Sequence, residues 1–178
     1  MKRFWVFSVF IIYLTIGVYA ETSISLGIGP EMNMYSEKSI AAGGVFNMDF
    51  RFNEMWSAGA RALYCMDLGQ DTIGDVSVLE VTANVRWYFL RFRDILFKYS
   101  MLWMGRFHWF VQVDVGGSFA FFPDIMKDVA YTGFSIGGTG GARIVFEKLY
   151  VEPYLRYSLR GNLGLGVLVG LTFNGYEN

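Results

Sequence analysis

The stretch Leu79-Glu80-Val81-Thr82-Ala83-Asn84-Val85-Arg86-Trp87-Tyr88-Phe89 alternates between an apolar and a more polar side chain at every step. Successive side chains of a β-strand point to opposite faces of the sheet, so a two-residue repeat predicts a strand with one apolar face. A stretch of this length also crosses the hydrocarbon layer of a membrane when the strand is tilted. The repeat therefore predicts a strand over about 76–90.

The same two-residue repeat recurs in seven further stretches of the chain. They cover about 22–34, 40–52, 56–67, 107–121, 132–146, 150–158 and 162–173. An even number of antiparallel strands allows the sheet to close on itself and leaves no unpaired edge. The sequence therefore predicts an all-β fold, an eight-stranded antiparallel up-and-down transmembrane β-barrel.

The composition indicates that water does not cover most of the surface. The chain is 53% hydrophobic and only 17% charged, whereas soluble domains carry roughly 25% charged residues. Past residue 20, no run approaches the roughly 18 consecutive apolar residues of a membrane helix. The 15 basic and 16 acidic residues nearly balance, so we expect no nucleic-acid partner.

Side-chain volume predicts which face of the barrel points outward. An eight-stranded barrel has an interior just wide enough for its own side chains. The apolar faces carry bulky residues such as Phe46, Phe50 and Trp109, whereas the polar faces carry many glycines, serines and threonines. This distribution favours an apolar face turned toward lipid over the alternative, a soluble lipocalin-like barrel with an apolar cavity.

Two sets of residues on these faces are candidate functional groups. The first is a periplasmic girdle of aromatic side chains at the strand ends near the chain termini, where rings meet lipid headgroups. Its predicted members are Phe52, Trp56, Trp87, Phe89, Trp109, Phe146, Tyr150 and Phe173.

The second set is an ion-pair network in the lumen, formed by five acids and five arginines on the inward faces. Its predicted members are Glu31, Asp49, Arg51, Arg61, Glu80, Arg86, Asp114, Arg143, Glu152 and Arg156. Arginine is the better partner for a confined carboxylate, and buried charges have to be paired. The individual pairs stay open, because the sequence does not give the strand register.

The first twenty residues read as a signal peptide. A basic start at Lys2 and Arg3 is followed by an apolar run and a small residue, Ala20, where cleavage is expected. We predict a signal peptide over 1–20 and a barrel domain over 21–178; the alternative is a retained membrane anchor. The segment 91–106 is predicted to be either an interfacial amphipathic helix or an extension of the two neighbouring strands.

The residues that could carry chemistry are few. His108 is the sole histidine; we expect it to belong to a polar network in the lumen, and Ser57, Ser77 and Ser118 are possible nucleophiles by residue type only. The sole cysteine, Cys65, is interpreted as a small interior residue. We expect no enzymatic activity, no cofactor and no metal site.

Over 21–173 the chain resembles the small eight-stranded outer-membrane barrels of the OmpX-, OmpW- and opacity-like group. The resemblance rests on the strand pattern and on the phrases Asn84-Val85-Arg86-Trp87-Tyr88-Phe89 and Val151-Glu152-Pro153-Tyr154-Leu155-Arg156-Tyr157. It implies a location in a bacterial outer membrane and contact with its lipids, including lipopolysaccharide-type lipids. It also implies recognition by the barrel insertion machinery, which reads a terminal aromatic; here Leu171-Thr172-Phe173 is followed by 174–178. We expect a monomer.

A shared fold does not imply one function. We expect a non-enzymatic membrane barrel with a structural or surface-interaction role and a polar, ion-paired lumen. The first alternative is a narrow OmpW-like channel for small or hydrophobic solutes. The second is a lipid-modifying barrel enzyme, which would need His108 beside a serine and a carboxylate.

Overall fold

A computed structural model describes residues 23–36, 39–68, 77–92, 106–121, 131–146, 148–159 and 162–173. The predicted signal peptide lies outside these residues. Within them, no helix has the length and apolar character needed to span a bilayer.

Eight strands form one closed barrel in which each strand pairs antiparallel with the next and the last pairs with the first. The strands are β1 (Ser23–Ser36), β2 (Ser39–Arg51), β3 (Trp56–Asp67), β4 (Ser77–Phe92), β5 (Arg106–Phe121), β6 (Tyr131–Phe146), β7 (Leu149–Ser158) and β8 (Leu163–Phe173). The prediction of an eight-stranded antiparallel up-and-down barrel is confirmed. Every predicted boundary lies within about two residues of the observed one.

The segment predicted as an interfacial helix or a strand extension is described only at its two ends. β4 continues to Phe92 and β5 begins at Arg106, and Phe92 pairs with Phe107. β4 therefore extends into the segment by two residues and β5 by one. The remainder, 93–105, lies outside the described residues.

Closure of the sheet is visible in the register around β1. Ile24 pairs with Phe50 on β2 and with Phe173 on β8. Both ends of the described chain therefore lie at one end of the barrel, which we call the terminal end; the opposite end is the loop end. Because hydrocarbon offers no hydrogen-bond partners, a closed barrel is the only arrangement of strands whose backbone groups are all paired within a membrane.

The barrel wall separates an apolar outer face from a largely polar interior. Outward side chains such as Ile28, Val113 and Leu165 are 57–68% exposed. Along the strands, no charged residue with a described side chain lies on this outer face. A wall of this kind is suited to lipid, where a charge at mid-depth costs about 2–4 kcal/mol.

Aromatic side chains border the outer face at both ends. Trp56 and Trp87 stack at the terminal end with their ring centroids 6.0 Å apart, and Tyr64 and Tyr157 are exposed toward the loop end. Trp56 and Tyr64 lie eight steps apart on β3, which is about 26 Å along a strand or about 20 Å along the axis at a tilt of about 40°. This height is close to the apolar band of about 25 Å in outer-membrane barrels.

Two prolines interrupt the backbone ladder on either side of the β7–β8 hairpin. Pairing of β6 with β7 stops at Gly141–Tyr154 and resumes at Ile144–Val151 in the same register, around Pro153. Pairing of β1 with β8 stops at Ile28–Val169 and resumes at Glu31–Gly166, around Pro30. Proline has no N–H to donate to the ladder, so both interruptions follow from the sequence.

An arginine on the outer face should test its contact with lipid. Val113 lies at mid-height of β5, faces outward and is 58% exposed. We expect Val113→Arg to lower the free energy of unfolding in lipid vesicles by about 2–4 kcal/mol, measured by denaturant titration. Val113→Leu is the matched control and should change it little. Equal stability of the two variants would show that this face does not meet hydrocarbon.

Candidate functional site

The interior of the barrel holds all ten residues that the sequence placed on the inward face, each at most 5% exposed. Eight of them lie in two groups of two acids and two arginines. The terminal cluster consists of Asp49, Arg86, Arg143 and Glu152, and the loop cluster consists of Glu31, Arg61, Glu80 and Arg156.

In the terminal cluster, each acid contacts both arginines. Arg86 donates two hydrogen bonds to Glu152, from Nη1 to Oε2 at 2.8 Å and from Nη2 to Oε1 at 2.9 Å. Arg143 Nε lies 2.7 Å from Glu152 Oε2, and its Nη2 lies 2.7 Å from Asp49 Oδ2. Arg86 Nη1 completes the group at 3.2 Å from Asp49 Oδ2. The four formal charges cancel, which is the condition for burying them.

Aromatic rings and an amide surround the terminal cluster. The Arg86 guanidinium lies 4.0 Å from the Phe110 ring centroid, and that of Arg143 lies 4.2 Å from the Tyr150 centroid. Gln112 Oε1 accepts from Arg86 Nε at 2.8 Å and Nη2 at 2.6 Å. A guanidinium group that stacks on a ring keeps its in-plane N–H donors for the carboxylates. The ring contacts therefore hold the arginines in place without competing with the ion pairs.

In the loop cluster, Glu31 is shared by two arginines. Arg61 pairs with Glu31 Oε2, and Arg156 Nη1 lies 3.8 Å from Glu31 Oε1. Arg156 also pairs with Glu80. Tyr154 donates its hydroxyl to Glu31 Oε2 at 2.6 Å and accepts from Arg61 Nη2 at 3.0 Å. The charges of this group cancel as well.

Arg51 and Asp114 lie outside the two clusters. Arg51 donates to the backbone oxygen of Glu54 at 2.7 Å, and its guanidinium lies 4.3 Å from the Tyr88 ring centroid. Asp114 accepts from Gln112 Nε2 at 2.6 Å and from Thr139 Oγ1 at 2.9 Å. Because Gln112 also accepts from Arg86, Asp114 connects to the terminal cluster through that amide.

The prediction that Tyr150 belongs to the outer aromatic girdle is wrong. Tyr150 lies two residues before the inward Glu152 on β7, so strand alternation places it inside, and it is fully buried. The seven other predicted girdle residues lie at the terminal end and are partly or well exposed: Phe52, Trp56, Trp87, Phe89, Trp109, Phe146 and Phe173.

The interior also holds large aromatic side chains, although the prediction from side-chain volume was that the bulky residues lie on the outer face. Tyr88, Phe110, Tyr150 and Tyr154 are at most 3% exposed. Glycines face the tyrosine rings of β7: a Cβ at Gly170 would lie 2.5 Å from Tyr150 Cζ, and one at Gly166 would collide with the ring of Tyr154. Inward glycines opposite an inward aromatic are the sequence signal that could have revealed this packing.

The remaining candidates for chemistry do not form a recognisable catalytic group. His108 is buried in the lumen, with its ring centroid 6.1 Å from that of Tyr88. Ser118 lies ten residues away on the same strand, about 33 Å, and Ser77 lies at the same distant end. Ser57 lies on β3, two strands away from β5, and is level with Gln112, four residues from His108. Cys65 is buried and accepts from Asn33 Nδ2 at 3.2 Å. Within the described ranges, no three His, Cys, Asp or Glu residues are arranged to hold a metal ion.

Comparison with solved structures identifies the architecture. Neisserial surface protein A superposes with a TM-score of 0.58 at 10% identity, over 85% of this chain and 97% of that chain. The chain has the fold of a small outer-membrane β-barrel. At this identity the likeness concerns the fold alone.

Two other matches are more distant. Ail, the attachment invasion locus protein of Yersinia pestis, gives a TM-score of 0.45 at 14% identity, over 86% of this chain and 98% of that one. The N-terminal barrel domain of Pseudomonas aeruginosa OprF gives 0.45 at 13% identity, over 85% and 97%. No protein-family model and no curated protein sequence matches the chain.

Removing one arginine from the terminal cluster should destabilise the barrel strongly. Arg86→Met leaves the buried Glu152 and Asp49 with fewer positive partners, and we expect a loss of about 3–5 kcal/mol in the free energy of unfolding. Denaturant titration of refolded barrels measures it. The control Lys148→Met, at an exposed turn, should change it by less than about 0.5 kcal/mol. A loss at Arg86 no larger than that of the control would contradict tight pairing.

Alanine substitutions at two glycines test whether the tyrosine rings pack tightly against the glycine backbone. Gly170→Ala would place a Cβ against the backbone oxygen of Leu26 and 2.5 Å from Tyr150 Cζ, and we expect a loss of about 1–3 kcal/mol in stability from overpacking. At the outward Gly140, a Cβ would meet no atom within 4 Å. Gly140→Ala should therefore be neutral or slightly stabilising. Equal stability of the two variants would mean that both the Leu26 backbone and the Tyr150 ring give way to the added methyl group without cost, which would contradict tight packing.

Proposed function

We propose that the chain is an integral outer-membrane protein with a structural or surface-interaction role, whose lumen is closed to ions by its paired charges. The observation that carries this proposal is the terminal cluster. Its four members come from β2, β4, β6 and β7, so the ion pairs cross the interior rather than follow one wall.

The outer face supports insertion in a membrane. It is apolar along the described strands and bordered by aromatic rings at both ends, which is the pattern of barrels whose outer surface meets lipid. The fold shared with Neisserial surface protein A supports the outer membrane as the location. We propose outer-membrane lipids, including lipopolysaccharide-type lipids, as the surroundings of this face, and a monomer inserted by the barrel insertion machinery.

The interior supports a closed lumen. An eight-stranded barrel has room for little more than its own side chains, and here that room is taken by arginines and by rings such as Phe110, Tyr150 and Tyr154. An ion that entered this space would lose its hydrating water molecules. It would find no free charged partner among the clustered acids and arginines, because these are already paired with each other. The arrangement favours a sealed barrel over a narrow solute channel.

A surface role is supported by the topology. The end of β3 and the start of β4, and likewise the end of β5 and the start of β6, lie at the loop end, opposite both described termini. Connecting segments held by a rigid scaffold are where binding residues concentrate. A non-enzymatic role is supported by the position of His108, which faces the lumen at the terminal end, far from Ser77 and Ser118.

Planar-bilayer recording tests the closed lumen. We expect the purified, folded protein to give no stable single-channel steps in concentrated potassium chloride, because the terminal cluster crosses the lumen. Arg143→Met, which removes one side of that cluster, should introduce small conductance steps, provided that the variant retains heat-dependent gel mobility as a sign of folding. Steady conductance of the unmodified protein would overturn the proposal and favour a narrow channel.

A further inference from the structure

An apolar groove with a volume of about 500 Å³ lies on the outer face of the barrel near the terminal end. Four adjacent strands, β7, β8, β1 and β2, line it with outward side chains that include Leu149, Phe173 and Phe46. Sites for small molecules have volumes of about 300–1,000 Å³. The groove is therefore large enough to hold part of one lipid molecule.

The floor of the groove is the wall between β1 and β8. Gly27 and Gly170 line the groove and pair with each other across these two strands. Leu26 beside them is half-buried, whereas Ile28, the next outward residue of β1, is 68% exposed. Inside the barrel, the Tyr150 ring packs against both glycines and supports the floor from behind. The groove is therefore built into the barrel wall.

The groove has the depth of one leaflet of a membrane. On β8 it extends from Phe173, the last residue of the strand, to Val169, four steps earlier, which is about 13 Å along the strand. The hydrocarbon core of a bilayer is about 30 Å thick, and each leaflet supplies half of it. An acyl chain of the leaflet at the terminal end can therefore follow the groove along its length.

A basic residue lies at the terminal end of the groove. Lys148 is exposed in the turn that precedes β7, and its neighbour Leu149 lines the groove. Thr172 donates its backbone N–H to the carbonyl oxygen of Lys148 at 2.8 Å, so the turn is held beside Leu171 and Phe173, which also line the groove. A lysine ammonium group binds phosphate as a point charge. The combination of an apolar groove and a lysine at its end complements an acyl chain with an anionic headgroup.

Two separate interactions would hold a lipid in this groove. Lipid tails are as apolar as leucine, so moving a tail from the bilayer into the groove gains contact area and dispersion energy but little from the hydrophobic effect. All phospholipids share this gain, because their tails are alike. The choice between phospholipids therefore depends on the headgroup, and a lysine near a membrane surface favours an anionic one.

We propose that this groove is a binding site for an anionic phospholipid of the phosphatidylglycerol type, drawn from the leaflet at the terminal end. One acyl chain lies against Leu26 and the paired glycines Gly27 and Gly170, and the phosphate meets Lys148. The inference rests on the proposed membrane location and goes beyond it, because it assigns one lipid class to one place on the barrel wall.

Photolabelling in vesicles tests the site. The folded protein is placed in phosphatidylcholine vesicles that contain a small fraction of phosphatidylglycerol with a diazirine on one acyl chain, and the adducts are located by peptide mass spectrometry. We expect severalfold more label on β1 and β8 than on the outer face of β5 around Val113, which is also exposed. A phosphatidylcholine probe with the same diazirine chain should label β1 and β8 severalfold less than the phosphatidylglycerol probe.

Two pairs of variants test the headgroup contact and the groove separately, after each is checked for heat-dependent gel mobility as a sign of folding. Lys148→Gln should reduce labelling of β1 and β8 by the phosphatidylglycerol probe severalfold, and Lys148→Arg should restore it. Leu26→Trp fills the floor of the groove and should also reduce this labelling, whereas Val113→Trp, on the outer face of β5, should not. If Leu26→Trp does not fold, the two Lys148 variants decide.

The outcomes separate this site from the proposed function. Equal labelling of β1, β8 and β5 by the phosphatidylglycerol probe would overturn the site and leave the membrane location intact, whereas an outer face without any adduct would overturn the membrane location itself. Labelling of β1 and β8 that Lys148→Gln does not reduce would overturn the choice of an anionic lipid. Disulfide-linked dimers of an Ile28→Cys variant, in place of lipid adducts, would overturn the proposal by showing that a second copy of the chain covers the groove.

Discussion

The requirement that every backbone N–H and C=O within hydrocarbon finds a partner governs the rest of this structure. Eight strands meet it by closing on one another, and β1 supplies the last partner for β8. A barrel that closes with eight strands has a narrow interior. Because side chains alternate along each strand, half of them point into that interior. The composition of the interior is therefore constrained by space as much as by polarity.

Paired charges are one way to occupy that space, and here they are arranged as two neutral groups at different heights. A lone arginine in such an interior would carry a large desolvation cost, but each arginine of the two clusters meets at least one carboxylate. Rings occupy much of the remaining volume. Tyr150 and Tyr154 fit because Gly170 and Gly166 face them from β8. The large rings of one strand therefore lie against glycines of the neighbouring strand, which have no side chain.

The sequence was sufficient for the fold because a two-residue repeat determines both the strand and its faces. All ten predicted lumen residues are buried inside. The pairing of those residues could not be predicted, because Arg86 meets Glu152 from 66 positions away and only the register brings them together. Tyr150 was predicted in the outer girdle because it lies near the terminal end of the barrel. Strand alternation gives the opposite direction: its neighbour Val151 points outward, so Tyr150 has to point inward.

The proline positions have a consequence for the continuity of the backbone ladder around the barrel. Pro153 pairs with Val167 on β8, and the interruption at Pro30 falls beside the same strand. The β7–β8 hairpin is thus joined internally by a continuous ladder but to each neighbour by an interrupted one. The barrel therefore contains a two-strand unit with a gap in the backbone ladder on each of its borders.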